Sequence, residues 1–167
     1  MTADAPTATA DHPGTTVCPG CGAVLAAAPA SADQHPGASP SCWRLFQVTV
    51  RGLRDDATQD PRAAALLQLA GDTYDAQHLP PGGPASAVVR LYLALERGRT
   101  AVDRVDATAP RGLQPPVRWT TTVADLAADL DVVDLPALLR AWADATWTDW
   151  APSADELRRA ADAALAG

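Results

Sequence analysis

The spacing of two cysteines near the start of the chain constrains the fold more than any other feature. Cys18 and Cys21 belong to the segment CPGCG. In zinc knuckles a tight turn lets two cysteines at this spacing bind one ion, and Pro19 and Gly20 suit such a turn. Tetrahedral Zn²⁺ requires four ligands, so other segments have to supply the second pair. The motif therefore predicts a zinc site that joins distant parts of the chain.

The third cysteine is predicted to be the third ligand. Cys42 falls in the first turn of a predicted helix with Ser41 as its N-cap, where the helix dipole favours a thiolate. Three cysteines without an export signal are poor disulfide candidates. The alternative that they are ordinary core side chains is disfavoured by CPGCG. A thioredoxin-like role would need a βαβ pattern, which the sequence does not show.

The fourth ligand is predicted to be a histidine. The chain has His12, His35 and His78. His78 is favoured because it follows a well-capped helix, whereas the other two lie in segments without predicted order. His35, or a water or substrate atom, remains an alternative for the fourth position.

Composition favours helices. Apolar residues make up 47% of the 167 residues, but aromatic residues only 5%, and alanine dominates the apolar fraction. We predict an all-α fold, a single-domain helical bundle of about six or seven helices with an N-terminal zinc knuckle and no strands. Residues 1–16 are predicted to be a disordered tail and residues 17–167 the zinc-binding domain, with an internal linker at about 107–118.

Helix boundaries are predicted from capping residues and from helix-breaking residues. Asp60–Pro61 begins a helix that ends at Leu79, and a third helix over 85–97 ends before Gly98. A short helical turn is expected near 101–105. Three further helices are predicted to begin later in the chain. Their starts are marked by the capping pair Thr122 and Asp125, by Asp134 followed by Pro136, and by the capping box of Ser153 and Glu156.

The net charge of −7 argues against a nucleic-acid partner, because such proteins concentrate positive charge on one face. The N-terminal residues do not resemble a secretory signal, and no stretch approaches the length of a membrane span. We therefore expect a cytoplasmic protein that binds neither nucleic acid nor membrane. A protein partner or a small molecule is expected instead.

The segment DTYDAQH, residues 72–78, is unusually polar for a helix that otherwise continues Leu and Ala. In a helix, Tyr74 and His78 share one face with Gln77 beside them. Asp75 or Asp72 is predicted to hold the His78 ring from a second shell. The alternative is a helix end with solvated carboxylates and a histidine favoured by the dipole.

Five motifs in this order resemble the bacterial family catalogued as domain of unknown function 5946: CPGCG, SCW, DTYDAQH, LALERG and WADATWTDW. The resemblance spans residues 17–150. It implies that one recurring set comprises Cys18, Cys21, Cys42, Asp72, Tyr74, Gln77 and His78. Relatives often carry another histidine in the helix after DTYDAQH, but this chain has none beyond position 78, which puts any role of that histidine in doubt.

Two functions follow from these residues. In the first, zinc is mainly structural and the protein is an accessory or interaction module, with a partner at the tryptophan-rich helix. In the alternative, the protein is a zinc-dependent enzyme acting on a small molecule, and the candidate pocket residues are Asp72, Tyr74, Asp75, Gln77 and His78. The tryptophans at 119, 142, 147 and 150 are expected to be core residues rather than a ligand pocket.

Overall fold

The computed structural model describes residues 14–98 and 104–166, and over these residues it is mostly helical. Two strands come first, β1 (Thr15–Val17) and β2 (Val24–Ala26). Eight α-helices follow within the described ranges: α1 (Pro40–Thr49), α2 (Arg51–Asp56), α3 (Pro61–Gln77), α4 (Ser86–Arg97), α5 (Val105–Thr108), α6 (Val123–Asp129), α7 (Leu135–Asp149) and α8 (Ala154–Leu165). A 3₁₀ turn, Ala151–Ser153, joins the last two.

The prediction of no strands is wrong, because the CPGCG turn lies in a β-hairpin. Strands β1 and β2 are antiparallel, with Val17 opposite Val24, and CPGCG forms the connection. The Cys18 N–H donates to the Ala23 carbonyl at 2.9 Å and closes this turn. Each strand has three residues, too few for an alternating pattern to be recognised. The fold is therefore mostly helical rather than strictly all-α.

The predicted tail lies outside the described residues as far as residue 13, and Thr15 and Thr16 belong to β1. The helical turn expected near 101–105 is also largely outside them, and a short helix, α5, begins at Val105. The first half of the segment at 107–118 packs against the rest of the chain. The Ala85 N–H donates to the Pro110 carbonyl at 2.8 Å, and Pro84 pairs with Arg111.

Three predicted helix starts are confirmed by their capping bonds. Asp60 accepts from the Arg62 N–H, and Asp134 accepts from the Ala137 N–H. Thr122 and Asp125 form a reciprocal capping box. These caps depend on residues within one turn of each other, which is why the sequence identifies them.

Two predicted caps are wrong. Helix α1 is capped by Ser39 rather than Ser41, because Pro40 takes the first helical position and leaves Ser39 extended. Ser153 makes no capping bond, and no box with Glu156 forms. The preceding 3₁₀ turn holds Ser153 at φ −106° and ψ 6°, whereas the other capping residues are extended.

The buried apolar side chains form two clusters that share two helices. One cluster packs α4 and α8 together and includes Ala143 of α7 and Trp150, which follows α7. The other surrounds the three cysteines and contains Tyr74 of α3 and Trp142 of α7. Because α3 and α7 contribute to both clusters, they connect the cysteine-rich end to the rest of the core. Over the described ranges, no helix has the length and apolar character needed to cross a membrane.

Candidate metal centre

The hairpin turn points two sulfurs into the core. Cys18 is 1% exposed and Cys21 is 5% exposed. The Ser39 N–H donates to Cys18 Sγ at 3.4 Å. Such N–H···S bonds stabilise thiolates, which are the form that binds metal.

Helix α1 supplies the third sulfur from its first turn, as the sequence predicts. The Ser39 side chain accepts from the Cys42 N–H, which fixes the start of the helix. Cys42 Sγ lies 3.7 Å from Cys21 Sγ. A disulfide would place the two atoms about 2.05 Å apart, so these are free thiols.

The fourth candidate donor is the imidazole of His78, which follows the last residue of α3. Its Nε2 atom lies 3.4 Å from Cys42 Sγ, and its Nδ1 atom lies 2.7 Å from the Tyr74 carbonyl oxygen. Because a carbonyl only accepts, Nδ1 carries the proton and Nε2 presents its lone pair to the sulfurs. The ring also stacks on Tyr74 with centroids 4.0 Å apart.

The prediction that Asp72 or Asp75 holds the His78 ring is wrong. Asp72 instead pairs with Arg90 at 2.6 Å, and burial raises the pKa of its carboxyl to about 6. Asp75 pairs with His35 at 3.3 Å. The Tyr74 carbonyl, one turn earlier in α3, orients the His78 ring instead. This carbonyl can accept from the ring because α3 ends at Gln77.

Two glycines allow the backbone to close over His78, and sequence reasoning assigned no role to Gly37. A Cβ atom on Gly37 would overlap the His78 carbonyl oxygen, and one on Gly20 would overlap the His78 ring. His78 is therefore 0% exposed, although it follows the last residue of its helix. The only sequence signal is that both glycines lie near cysteines.

The four donor atoms match a tetrahedral metal site. Cys18, Cys21, Cys42 and His78 are all buried, and their donor atoms lie within 4.8 Å of one another. Zinc bonds of about 2.3 Å to sulfur and 2.0–2.1 Å to nitrogen place two sulfurs about 3.8 Å apart and a sulfur and a nitrogen about 3.6 Å apart. The observed 3.7 Å and 3.4 Å are close to these values. The group could therefore hold a metal ion.

Without metal, the three thiols compete for protons. Hydrogen bonds from the Cys21 and Cys42 thiols lower the pKa of Cys18, and the bond to Cys18 raises the pKa of Cys21 to about 11. The pKa of Cys42 is raised by its bonds to the other two sulfurs. Three sulfurs this close cannot all ionise without a cation between them.

The alternative ligand His35 is ordered, but both of its ring nitrogens have other contacts. Nδ1 accepts from the Gly37 N–H at 3.1 Å, and Nε2 faces Asp75. Its ring lies edge-on to Tyr74 and 5.8 Å from the ring of His78. His35 thus covers the centre from outside, and it is not among the grouped donors.

Tyr74 and Gln77, two further polar residues of DTYDAQH, make contacts in different parts of the structure. The buried Tyr74 hydroxyl donates to Cys42 Sγ at 3.5 Å, and burial raises the pKa of this phenol, so it stays a neutral donor. Gln77 Nε2 donates to the Thr121 carbonyl and to Thr146 Oγ1. The residues of DTYDAQH therefore have different roles. Tyr74 and His78 belong to the centre, Asp72 forms an ion pair with Arg90 of α4, and Gln77 contacts Thr146 of α7.

The tryptophans are mainly core residues. Trp142 and Trp150 are 0% and 1% exposed, and Trp147 is partly buried. Trp119 is partly buried as well, and its Nε1–H donates to the Gly20 carbonyl at 3.0 Å. That bond ties the segment after the predicted linker to the cysteine turn.

Comparison with known proteins places the chain in a family. Residues 16–151 match the Family of unknown function (DUF5946). The match covers most of the 167 residues, and the chain belongs to this family. The searches of curated proteins and of solved structures found no match.

Proposed function

We propose that this family member is a zinc protein in which Zn²⁺ is mainly structural, and that it acts as a cytoplasmic accessory or interaction module. The zinc ion would be held by Cys18, Cys21, Cys42 and His78. The burial of the whole donor set carries the proposal. The four residues are between 0% and 5% exposed.

Buried donors favour a structural ion because a catalytic zinc keeps one coordination position open for water or substrate. Three sulfurs and one imidazole nitrogen complete a tetrahedron. The group includes no carboxylate oxygen, which disfavours magnesium and calcium. Soft thiolates with one imidazole are a common structural zinc set.

The position of the centre gives the ion a clear structural task. It would link the β-hairpin, α1 and the end of α3, segments that are separated by up to 60 residues between Cys18 and His78. The hairpin alone has only three residue pairs, and two-stranded ribbons of this length are marginal in water. In zinc-finger peptides, the apparent free energy of zinc binding is ~10–16 kcal/mol, and this energy drives folding.

The module part of the proposal draws on which apolar side chains remain exposed. Trp142 and Trp150 are buried, so the tryptophan-rich helix is not the expected docking surface. Val17 and Val24 oppose each other across the hairpin and are each 63% exposed. A partner contact at this apolar pair beside the knuckle fits a role for zinc in holding the hairpin in place.

Removal of the metal tests the structural role. We expect that a chelator strong enough to extract zinc unfolds the protein, so that the near-ultraviolet circular dichroism signal and its cooperative thermal transition are both lost. Returning one equivalent of zinc should restore both. Unchanged cooperative unfolding after complete metal removal, verified by elemental analysis, would contradict a structural zinc.

The enzyme alternative retains one supporting observation. Gln77 and Cys21 both line a cavity of about 370 Å³ next to the centre, whereas Tyr74, Asp75 and His78 do not line it. In this alternative the thiolates alone hold zinc and His78 is an acid or base. Zinc content of His78→Ala separates the two: lost zinc supports the structural role, and a full equivalent supports the enzyme.

A further inference from the structure

A groove of about 550 Å³ lies between α3, α4 and α7, three helices that pack against one another. None of the four candidate metal donors lines this three-helix groove. Its volume is within the range of about 300–1,000 Å³ that is typical of small-molecule sites. Its wall includes Arg62, Ala65, Leu66 and Leu69 of α3, Leu95 of α4 and Arg140 of α7.

The floor of the groove is apolar and lies where the two apolar clusters meet. Leu66 packs against the cluster that surrounds the cysteines, whereas Leu69 and Leu95 pack against the other cluster. All three leucines are only partly buried, so the helices leave part of their surface in contact with water. A hydrocarbon group in the groove would remove this apolar area from water, which is favourable.

The charge in the groove is positive only. Among the described residues that line it, the ionisable side chains are Arg62 and Arg140, and both are exposed. The ion pairs of the described part of the chain involve neither guanidinium. The chain as a whole has a net charge of −7. An apolar groove with two unpaired arginines in such a chain is complementary to an anion that carries an apolar group.

The carboxylates nearest in sequence do not neutralise these arginines. Asp60 accepts from the backbone N–H of Arg62, and Asp134 accepts from the backbone N–H of Ala137. Both aspartates therefore cap helix starts, where negative charge is stabilised, and neither lines the groove. The guanidiniums remain free to bind a carboxylate, whose two oxygens match their N–H donors.

We propose that the three-helix groove binds an amphipathic monoanion, an aliphatic chain that ends in a carboxylate. The chain would cover the leucine floor, and the carboxylate would accept from Arg62 and Arg140. A short acid would leave the leucines in water, and a neutral alcohol would leave the arginines without an anion. The net charge of −7 repels a dianion more than a monoanion, which favours a carboxylate over a phosphate monoester. This site goes beyond the proposed function and does not depend on zinc.

Octanoate and octanol are matched probes, because they share the aliphatic chain and differ in the charge of the head group. Isothermal titration calorimetry of the purified full chain should show octanoate binding about tenfold more tightly, equivalent to ~1.4 kcal/mol. This preference should shrink as salt is added, because the arginines are exposed. Octyl phosphate is the third probe, and tighter binding of it than of octanoate would overturn the assignment of a carboxylate.

Two double variants with the same change in net charge test the role of the arginines. Arg62→Gln with Arg140→Gln should abolish the preference for octanoate and leave the affinity for octanol unchanged. Arg51→Gln with Arg54→Gln is the control, because these exposed arginines of α2 lie outside the groove wall. It should keep the preference. An equal loss in both double variants, or no preference in the parent, would overturn the proposal.

A substitution that fills the groove tests its location. Ala65→Trp places a large side chain at an exposed position of the wall and should weaken the binding of octanoate and of octanol about tenfold. Val132→Trp, at a position that is 80% exposed and outside the wall, should change neither affinity. Unchanged binding in Ala65→Trp would overturn the proposal. A dimer in solution that Ala65→Trp dissociates would also overturn it, since a second copy would then cover the groove.

Discussion

At the scale of single residues, the centre depends on which atom fixes the His78 ring. The bond from Nδ1 to the Tyr74 carbonyl at 2.7 Å leaves Nε2 as the donor atom. His35 lies nearby, but its nitrogens contact Gly37 and Asp75. The sequence identifies the two histidines as candidates, because ligand chemistry is a property of residue type. It does not identify their partners, because these depend on where the loop before α1 and the end of α3 meet.

Substituting His35 tests this division of roles. His35→Ala should retain one zinc per chain, since its ring nitrogens do not face the sulfurs. His78→Ala should lose the metal, and the pair of variants can be compared by elemental analysis of purified protein. Loss of zinc from His35→Ala together with full zinc in His78→Ala would show that the ligand assignment is reversed.

A backbone contact at the same scale gives a second prediction. Gly37→Ala places a methyl group on the His78 carbonyl and should destabilise the zinc form by about 1–3 kcal/mol through overpacking. Gly52→Ala is the matched control, since nothing lies within 4 Å of its added Cβ and it lies within α2. Denaturant unfolding of the zinc-loaded proteins measures both. Equal stability of the two variants would mean that the loop is free to move away from His78.

At the scale of helices and strands, local chemistry determines what the sequence reveals. Asp60, Thr122 and Asp134 are identifiable because each bonds to a backbone group within its own first turn. The strands are not, because three residues give no periodicity and their pairing is stabilised by the knuckle turn. The role of Asp72 likewise cannot be predicted from the sequence, because its partner Arg90 lies on another helix. Arg90 bonds to Asp72 at 2.6 Å and to Asp106 at 3.2 Å, and so links α3, α4 and α5.

The pKa of Asp72 predicts a pH dependence of stability. Burial raises this pKa to about 6 from 3.8, with Arg90 opposing, so between about pH 4 and pH 6 the folded state binds more protons than the unfolded state. Stability from this group is therefore greatest below pH 4 and falls as pH rises through 6. Asp72→Asn stays uncharged, so its free energy of unfolding should increase relative to the parent over that interval.

The informative quantity is the difference in free energy of unfolding between the parent and Asp72→Asn, because acid also protonates the proposed zinc ligands in both proteins. Urea unfolding at several pH values measures it. A parent that gains stability relative to Asp72→Asn as pH rises would show that the ion pair with Arg90 outweighs the effect of burial.

At the scale of the whole molecule, the metal centre lies within one of two apolar clusters, and α3 and α7 join that cluster to the other. The centre therefore affects more than the hairpin, since α3 carries His78 at one end and packs against α4 and α7 along its length. The overall helical class follows from composition, and the donor set follows from CPGCG and its distant partners. The closing of the chain over the donors follows from tertiary contacts such as Trp119 to Gly20.

X-ray absorption at the zinc edge of the purified protein measures the central claim most directly. The account predicts one zinc per chain, with three sulfurs at about 2.3 Å and one nitrogen at about 2.0–2.1 Å. The spectrum should not change when cavity-sized neutral molecules such as acetamide are added. A first shell that contains water oxygen or fewer than three sulfurs, or a protein that holds no zinc, would contradict the closed centre of Cys18, Cys21, Cys42 and His78.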